Sequence, residues 1–291
     1  MDVTEQEVLG RLVRWANGER SVRALILTSS RANPNASPDR LSDYDVIVAA
    51  SDVGSLSSDD FWLHAYGAVL VRCRDSYRCC GVDVQTRLVL HQDGTKIDYS
   101  LWSTELLNGI LHQPQLPDVL DVGYRVLVDK DNLTGDLKPP TYAAHVPRKP
   151  SEPDFQSLVE EFWLETSYVA KNLWRDELLP AKFSFDAVIK FNLLRVMLEW
   201  RVELDHDWSL SPGFMGRGLN VVLKPDVWEK LERTFVGPGT EENWEALFAT
   251  ADLFRATARA VATQLGYRYP EELDRSMTAY LAGIKSMDRS V

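Results

Sequence analysis

Two aspartates separated by one residue are the strongest candidates for chemistry in this sequence. Asp43 and Asp45 stand in a β-branched run that predicts a strand over 43–50. Because side chains alternate along a strand, both carboxylates should project from the same face. Two such carboxylates repel each other unless a divalent cation lies between their oxygens, and Mg²⁺ prefers hard oxygen ligands. The simpler alternative is an Asp-x-Asp that only caps a strand beside a turn.

A third carboxylate, Asp98, stands on another β-prone run, with Ile97, Tyr99 and Leu101 expected on the opposite face. If the two strands are neighbours, Asp98 lies near the aspartate pair. There it could bind metal or accept the proton of an attacking hydroxyl. A solvated place on the outer face of a hairpin is the alternative, but three acids on strand faces are harder to explain as accidents.

Two serines stand upstream of the aspartates, at the end of a β-prone run. Ser29 and Ser30 could offer backbone N–H groups and hydroxyls to a triphosphate, especially if a helix begins there. By itself this is a weak signal.

The strands and helices predicted around these residues indicate an α+β fold. Strands are expected over 22–28, 43–50, 86–91, 96–102 and 124–129, and Asp-Gly at 93–94 favours a hairpin between the third and fourth of them. We therefore predict a catalytic domain over 1–137, built on a mixed sheet with flanking helices.

The second half of the chain has a helical pattern. Five prolines disfavour helix and sheet over 138–153, which we interpret as a linker. A helical bundle domain is predicted over 154–291, with an apolar helix over 185–200 and a long helix over 241–265 that ends at Gly266. The first helix of this domain should bury one face, made of Phe155, Leu158, Val159, Phe162, Thr166, Val169 and Leu173.

Charge and hydropathy restrict the partners. A net charge of -11 and a pI near 5.0 argue against the phosphate backbone of nucleic acid, which is bound by clustered Lys and Arg. A cationic partner fits better, although acidity can also serve solubility alone. Neither a membrane span nor a signal peptide is apparent, so a cytoplasmic location is expected.

The motifs resemble one family. Ser30-Arg31-Ala32-Asn33-Pro34-Asn35, followed by Asp43-Tyr44-Asp45, resembles the Gly-Ser-Arg-x-Asn-Pro-Asn to Asp-Tyr-Asp region of the aminoglycoside 6-adenylyltransferases. These are the streptomycin-modifying branch of the DNA polymerase β-like nucleotidyltransferases. The resemblance covers nearly the whole chain and continues at 96–98, 125–131, 145–151, 161–163, 168–171, 193–195, 228–231 and 244–248.

The resemblance implies a sheet-and-helix catalytic domain joined to a helical bundle, with the active site in the cleft between them. It also implies that Asp43 and Asp45 hold Mg²⁺ and that Asp98 is the base. Together with Ser29, the matching Ser30 and Arg31 are expected to contact the phosphates of ATP.

In the helical half, Lys171 is similar to the family's lysine that reaches the triphosphate, although a solvated surface lysine remains the alternative. Acids near it, Glu160, Glu161 and Glu165, are candidates to attract a cationic antibiotic. The reaction implied is transfer of AMP from ATP to an aminoglycoside hydroxyl with release of pyrophosphate. A monomer or weak homodimer is expected.

One departure from the family pattern leaves alternatives open. The family has glycine where this chain has Ser29, and serine resists positive φ at a cost on the order of 1 kcal/mol. The protein could carry out the same chemistry on another small molecule or on a protein side chain. It could also be a catalytically weakened homologue that only binds nucleotide or drug.

Overall fold

The computed structural model describes residues 3–288. The chain divides into two compact units, with the boundary between Ala144 and His145. The first contains every strand of the described chain and the second is helical, in agreement with the predicted α+β class. Within residues 3–288, no helix combines the length and the apolar character that crossing a membrane requires.

A mixed six-stranded sheet forms the first unit, in the order β3-β4-β5-β2-β1-β6. Strands β2 and β5 are parallel, whereas the other neighbours are antiparallel. The strands are β1 (Val22–Thr28), β2 (Tyr44–Ala50), β3 (Val69–Cys79), β4 (Val82–His91), β5 (Lys96–Ser103) and β6 (Tyr124–Asp129). The predicted hairpin joins β4 and β5, and Gly94 has the positive φ (86°) that its turn requires.

Helices cover both faces of this sheet, which explains why β1 and β2 are buried at nearly every position. One face packs against α1 and the other against α3, each over its own apolar core. The helices of the unit are α1 (Glu5–Gly18), α2 (Val53–Ser58), α3 (Thr104–Leu111) and α4 (Asp118–Asp121). Short 3₁₀ helices span Ser29–Arg31 and Phe61–Ala65.

Strand β3, at the edge of the sheet, was not predicted, because most of its side chains are exposed and show no apolar alternation. It is anchored by Asp60, whose buried carboxylate accepts hydrogen bonds from Arg72, Arg74 and Arg87 at 2.9, 2.9 and 2.6 Å. Arg87 belongs to β4 and is buried, so Asp60 is the counter-charge for an arginine inside the sheet.

We predict that Asp60→Asn lowers the free energy of unfolding by about 3 kcal/mol, because it leaves Arg87 buried without a counter-charge. Burial raises the pKa of Asp60, but hydrogen bonds from Arg87 and Arg74 outweigh it and hold that pKa below 3.8. Such a carboxylate stabilises the fold above its unfolded pKa, and the stabilisation disappears as the pH falls through the folded pKa. The variant's deficit should therefore shrink in acid. Urea unfolding at several pH values measures it, with exposed Asp59→Asn as control, and equal stability of the two variants would contradict the prediction.

The second unit is a helical bundle, as predicted. Its α-helices are α5 (Glu152–Trp174), α6 (Leu178–Lys182), α7 (Arg195–Glu203), α8 (Leu219–Val222), α9 (Pro225–Glu232), α10 (Thr240–Leu265) and α11 (Glu271–Ser286), and a 3₁₀ helix spans Phe214–Gly216. The predicted face of α5 is buried except at Leu158, which is partly buried, and Phe162 stacks on Phe254 of α10 at 3.6 Å between ring centroids. Gly266 ends α10 in the left-handed conformation, as expected.

The helix predicted over 185–200 differs from the structure. A π-helix spans Phe183–Leu194, and α7 begins only at Arg195. The sequence there is apolar nearly all round and has no polar face to indicate the helical period. The hydrophobic period therefore could not indicate that this segment forms a π-helix and not an α-helix.

The proline-rich segment forms separate hydrogen bonds with each of the two units. On the side of the first unit, Lys138 donates to the carbonyls of Leu111 and Gln113, and Thr141 donates to Asp121. On the side of the second, the carbonyl of Pro150 accepts a hydrogen bond from Tyr267. Helix α5 begins at Glu152, after a Ser151 capping box.

Candidate active site

Strand register brings two of the three predicted acids side by side. Asp45 of β2 is the direct partner of Asp98 of β5 in the parallel pairing. Residues paired in register point to the same face of a sheet, so the two carboxylates are neighbours. The opposite face of β5 carries Ile97, Tyr99 and Leu101, all buried, as expected. The strands that carry Asp45 and Asp98 are thus neighbours, which was the condition for Asp98 to lie near the aspartate pair.

Asp43 follows the turn over 39–42 and precedes β2, and is not on the strand as predicted, since β2 begins at Tyr44. The reason is Arg31, whose guanidinium donates to the carbonyls of Ser42 (2.7 Å) and Asp43 (3.2 Å) and lies over the Tyr44 ring. These backbone carbonyls are consequently turned toward an arginine and away from a strand neighbour. The Asp43 side chain still joins the acidic group, through a residue that the sequence did not single out.

That residue is Lys96, at the start of β5. Its Nζ lies 2.5 Å from Asp43 Oδ2 and 2.8 Å from Asp98 Oδ2, so one ammonium joins two of the three carboxylates. Lys96 and Asp98 are two positions apart on a strand and therefore share a face, which is the signal that could have identified the lysine. We call Asp43, Asp45, Asp98 and Lys96 the acidic centre.

The acidic centre carries more negative charge than its lysine balances. Burial, followed by the neighbouring Asp98, raises the pKa of Asp45 to about 6, while a hydrogen bond from Ser29 lowers it. Burial also raises the pKa of Asp98, with Lys96 opposing the shift. The Oδ1 atom of Asp98 is buried and has no hydrogen-bond partner among residues 3–288. A buried, unsatisfied carboxylate oxygen beside a second buried carboxylate is a place where an added cation would be stabilised.

The residue types of the acidic centre fit a divalent cation, although their arrangement in this structure does not surround one. Across residues 3–288, no group of three or more His, Cys, Asp or Glu side chains is arranged to hold a metal ion. In the acidic centre, the Lys96 ammonium lies between two of the carboxylates as a stand-in cation. The donor set of carboxylate oxygens is the kind that Mg²⁺ prefers. Asp43, Asp45 and Asp98 are the residues that could hold it.

The serine pair follows β1 as a single 3₁₀ turn. Ser29 has a φ of 65°, in the left-handed region that glycine adopts without strain. Its N–H donates to the carbonyl of Gly123 at 3.1 Å. A Cβ at Gly123, whose φ is 126°, would lie 3.0 Å from the Cα of Asn33, so this glycine allows the two loops to pack closely. Ser29 and Ser30 therefore stand at a closely packed corner, and Ser29 is a neighbour of Asp45.

We predict that Ser29→Gly is more stable than Ser29→Ala by about 1 kcal/mol, because both lose the hydroxyl but only alanine keeps the strain of positive φ. If the serine also crowds the phosphates, Ser29→Gly should raise kcat/KM for ATP by up to roughly tenfold, which corresponds to ~1.4 kcal/mol. Thermal unfolding and steady-state kinetics of the two variants measure these effects. Equal stability would mean that the left-handed conformation is not required.

Arg31 has many protein partners. Besides its carbonyl bonds it forms an ion pair with Glu5 at 3.3 Å, and its side chain is 7% exposed. The guanidinium holds the turn that precedes Asp43, which is a positioning role. A contact between Arg31 and phosphate stays a prediction.

The remaining candidates lie on α5, in the second unit. Glu160 and Glu161 are exposed, and Glu165 is partly buried. Burial, with Glu161 one turn away, raises the pKa of Glu165. Lys171 Nζ lies 4.8 Å from the centre of the Tyr168 ring on the same helix. Their assignment to substrate and triphosphate stays a prediction.

Comparison with known proteins agrees with the resemblance seen in the motifs. Residues 3–284 match the family model for streptomycin adenylyltransferase. Aminoglycoside 6-adenylyltransferase of Campylobacter jejuni is 30% identical over 270 residues, which cover 92% of this chain and 91% of that protein. The enzyme of the same name from Bacillus subtilis (strain 168) is 28% identical over 285 residues, covering 97% and 98%. A crystal structure of an aminoglycoside 6-adenyltransferase from Bacillus subtilis aligns at 25% identity with a TM-score of 0.48, covering 98% of this chain and 100% of that one.

Proposed function

The chain belongs to the streptomycin adenylyltransferase family, a family of nucleotidyltransferases, and from that membership we propose that it transfers AMP from ATP to a hydroxyl of an aminoglycoside. Pyrophosphate is the second product and Mg²⁺ the cofactor of the proposed reaction. The observation that carries the proposal is the in-register pairing of Asp45 with Asp98 beside Asp43. The enzyme is proposed to work in the cytoplasm, where ATP is available, as a monomer or weak homodimer.

Asp43 and Asp45 are the proposed metal ligands, and Mg²⁺ bound there would polarise the α-phosphate and offset the charge of the leaving pyrophosphate. Asp98 is the proposed base. Its Oδ1 has no hydrogen-bond partner within residues 3–288 and is free to accept the proton of the substrate hydroxyl. A pKa raised by burial makes this carboxylate a stronger base than an exposed aspartate.

Phosphate recognition is proposed for Ser29 and Ser30, through the backbone and hydroxyls of the 3₁₀ turn, and for Lys171. Arg31 is proposed to contribute mainly by holding the turn of Asp43. We propose that 1–137 carries out the chemistry, that 138–153 is the linker and that 154–291 contributes to binding of substrate and nucleotide.

An aminoglycoside is the proposed acceptor because it is polycationic and the chain is acidic, with a net charge of -11. Glu160, Glu161 and Glu165 of α5 are the proposed carboxylates for its ammonium or guanidinium groups. Orientation of one hydroxyl for in-line attack would then follow from several charge-assisted contacts.

Incubation of the protein with Mg²⁺, each NTP and a panel of aminoglycosides tests the proposal. Pyrophosphate release and product mass are the readouts, and an AMP adduct of streptomycin made from ATP is the expected result. Pyrophosphate released only with other acceptors would keep the reaction class and change the substrate. No release with any combination would overturn the proposal.

A second candidate is a homologue that binds nucleotide or drug with little turnover. The strained φ of Ser29 favours it, since the corner next to Asp45 carries a side chain where the family has glycine. Calorimetry with ATP and Mg²⁺ separates the two candidates, because a binding protein gives heat without pyrophosphate.

A further inference from the structure

Lys96 is hydrogen-bonded to one of the two proposed metal ligands, Asp43, and to the proposed base, Asp98. Its Nζ contacts Oδ2 of both Asp43 and Asp98, and the three side chains are 21 to 38% exposed, so the ion pairs lie at the edge of solvent. Arg31, another cation near this turn, donates to backbone carbonyls and to Glu5 instead. One ammonium thus contacts two of the three carboxylates.

The fold fixes the base of this lysine and leaves its tip movable. Ile97, between Lys96 and Asp98, is fully buried and is paired with Tyr44, the residue after Asp43. The backbone of Lys96 is therefore held next to the turn of Asp43 by a core contact. The side chain is a flexible four-carbon stem, and its ammonium can leave the carboxylates without any change in the sheet.

Resting on the proposed function, we propose that Lys96 is an internal counter-ion that the metal displaces. In the metal-free protein it holds Asp43 and Asp98 together and reduces their repulsion. A divalent cation held by Asp43 and Asp45 would compete with the ammonium for the Asp43 carboxylate, so Lys96 lowers the metal affinity of the nucleotide-free protein. Once a triphosphate is present, the expelled ammonium has an anion to pair with. Metal and nucleotide consequently bind cooperatively.

The test is metal binding measured by calorimetry without nucleotide or acceptor. Lys96→Met, which keeps the length and loses the charge, should bind Mg²⁺ roughly tenfold more tightly than the wild-type protein. Lys96→Arg keeps a competing cation and should stay near the wild-type affinity. Lys224→Met, which removes an exposed lysine of the second unit, controls for net charge. Equal or weaker Mg²⁺ binding by a folded Lys96→Met protein would overturn the proposal.

Thermal unfolding gives a second readout. Without metal, Lys96→Met should melt below the wild-type protein because its three carboxylates have lost their counter-ion, and Mg²⁺ should raise its Tm by more. If that variant does not fold, wild-type protein with ¹⁵N-labelled lysine provides the test. The Lys96 ammonium resonance should move on Mg²⁺ addition, and an unchanged resonance at saturating Mg²⁺ would overturn the proposal.

These measurements are independent of turnover. If the protein exchanges Lys96 for Mg²⁺ but modifies no acceptor, the proposed function fails and the counter-ion role stands. If transfer to an aminoglycoside proceeds while Lys96→Met and wild-type protein bind Mg²⁺ equally, the counter-ion role fails alone.

Discussion

Asp45→Asn is expected to abolish nucleotidyl transfer while the protein remains folded. Asp45 is partly buried and is paired with Asp98 across the sheet. Its carboxylate is one of the two proposed metal ligands. An amide at this position keeps the shape but loses the charge that binds the cation. Pyrophosphate release measures the loss, and exposed Asp83→Asn on β4 is the control for charge. Undiminished release from folded Asp45→Asn protein would contradict the metal assignment.

The same variant should change how stability depends on pH. Burial and Asp98 raise the pKa of Asp45 from 3.8 to about 6, so between these values the folded protein binds more protons than the unfolded chain. Metal-free wild-type protein should then lose stability as the pH rises from about 4 to about 6. Asp45→Asn does not undergo this loss of stability. At pH 7 its free energy of unfolding should exceed that of the wild-type protein by up to about 3 kcal/mol. Urea unfolding with a chelator present measures the difference, and identical pH profiles would mean that Asp45 is not destabilised by its neighbours.

Asp98→Asn should separate binding from chemistry. Asp43 and Asp45 remain, so Mg²⁺ and ATP should still bind, while kcat falls by about 10²- to 10⁴-fold, as is typical when a general base is removed. Calorimetry of Mg²⁺-ATP binding beside single-turnover kinetics measures the two effects separately. If Asp98→Asn binds Mg²⁺-ATP as poorly as Asp45→Asn does, Asp98 is a third metal ligand and the proton acceptor lies elsewhere.

The elements around this site could be predicted from sequence because their signals are local. Strands β1 and β6 have the predicted bounds, and β5 starts at the predicted residue. The buried side of β5 follows from simple alternation, and Asp93-Gly94 specified its hairpin through the positive φ of glycine. Each of these depends on residues within a few positions of one another, so the chain itself carries the information.

The acidic centre depended on contacts between distant parts of the chain. Asp43 and Lys96 are 53 positions apart, and only the parallel register of β2 with β5 brings them together. The place of Asp43 before the strand depends on Arg31, and Asp60 holds the unpredicted edge strand through Arg72 and Arg74.

The sequence by itself determined the α+β class and the strands that carry Asp45 and Asp98. The tertiary structure decided that Ser29 adopts a positive φ, that Lys96 pairs with two carboxylates and that one oxygen of Asp98 has no partner within residues 3–288. The physical reason is that periodicity and turn chemistry are properties of neighbouring residues, whereas ion pairs and burial depend on strand register. Register is set by the packing of whole strands, such as Ile97 against Tyr44, and no short motif encodes it.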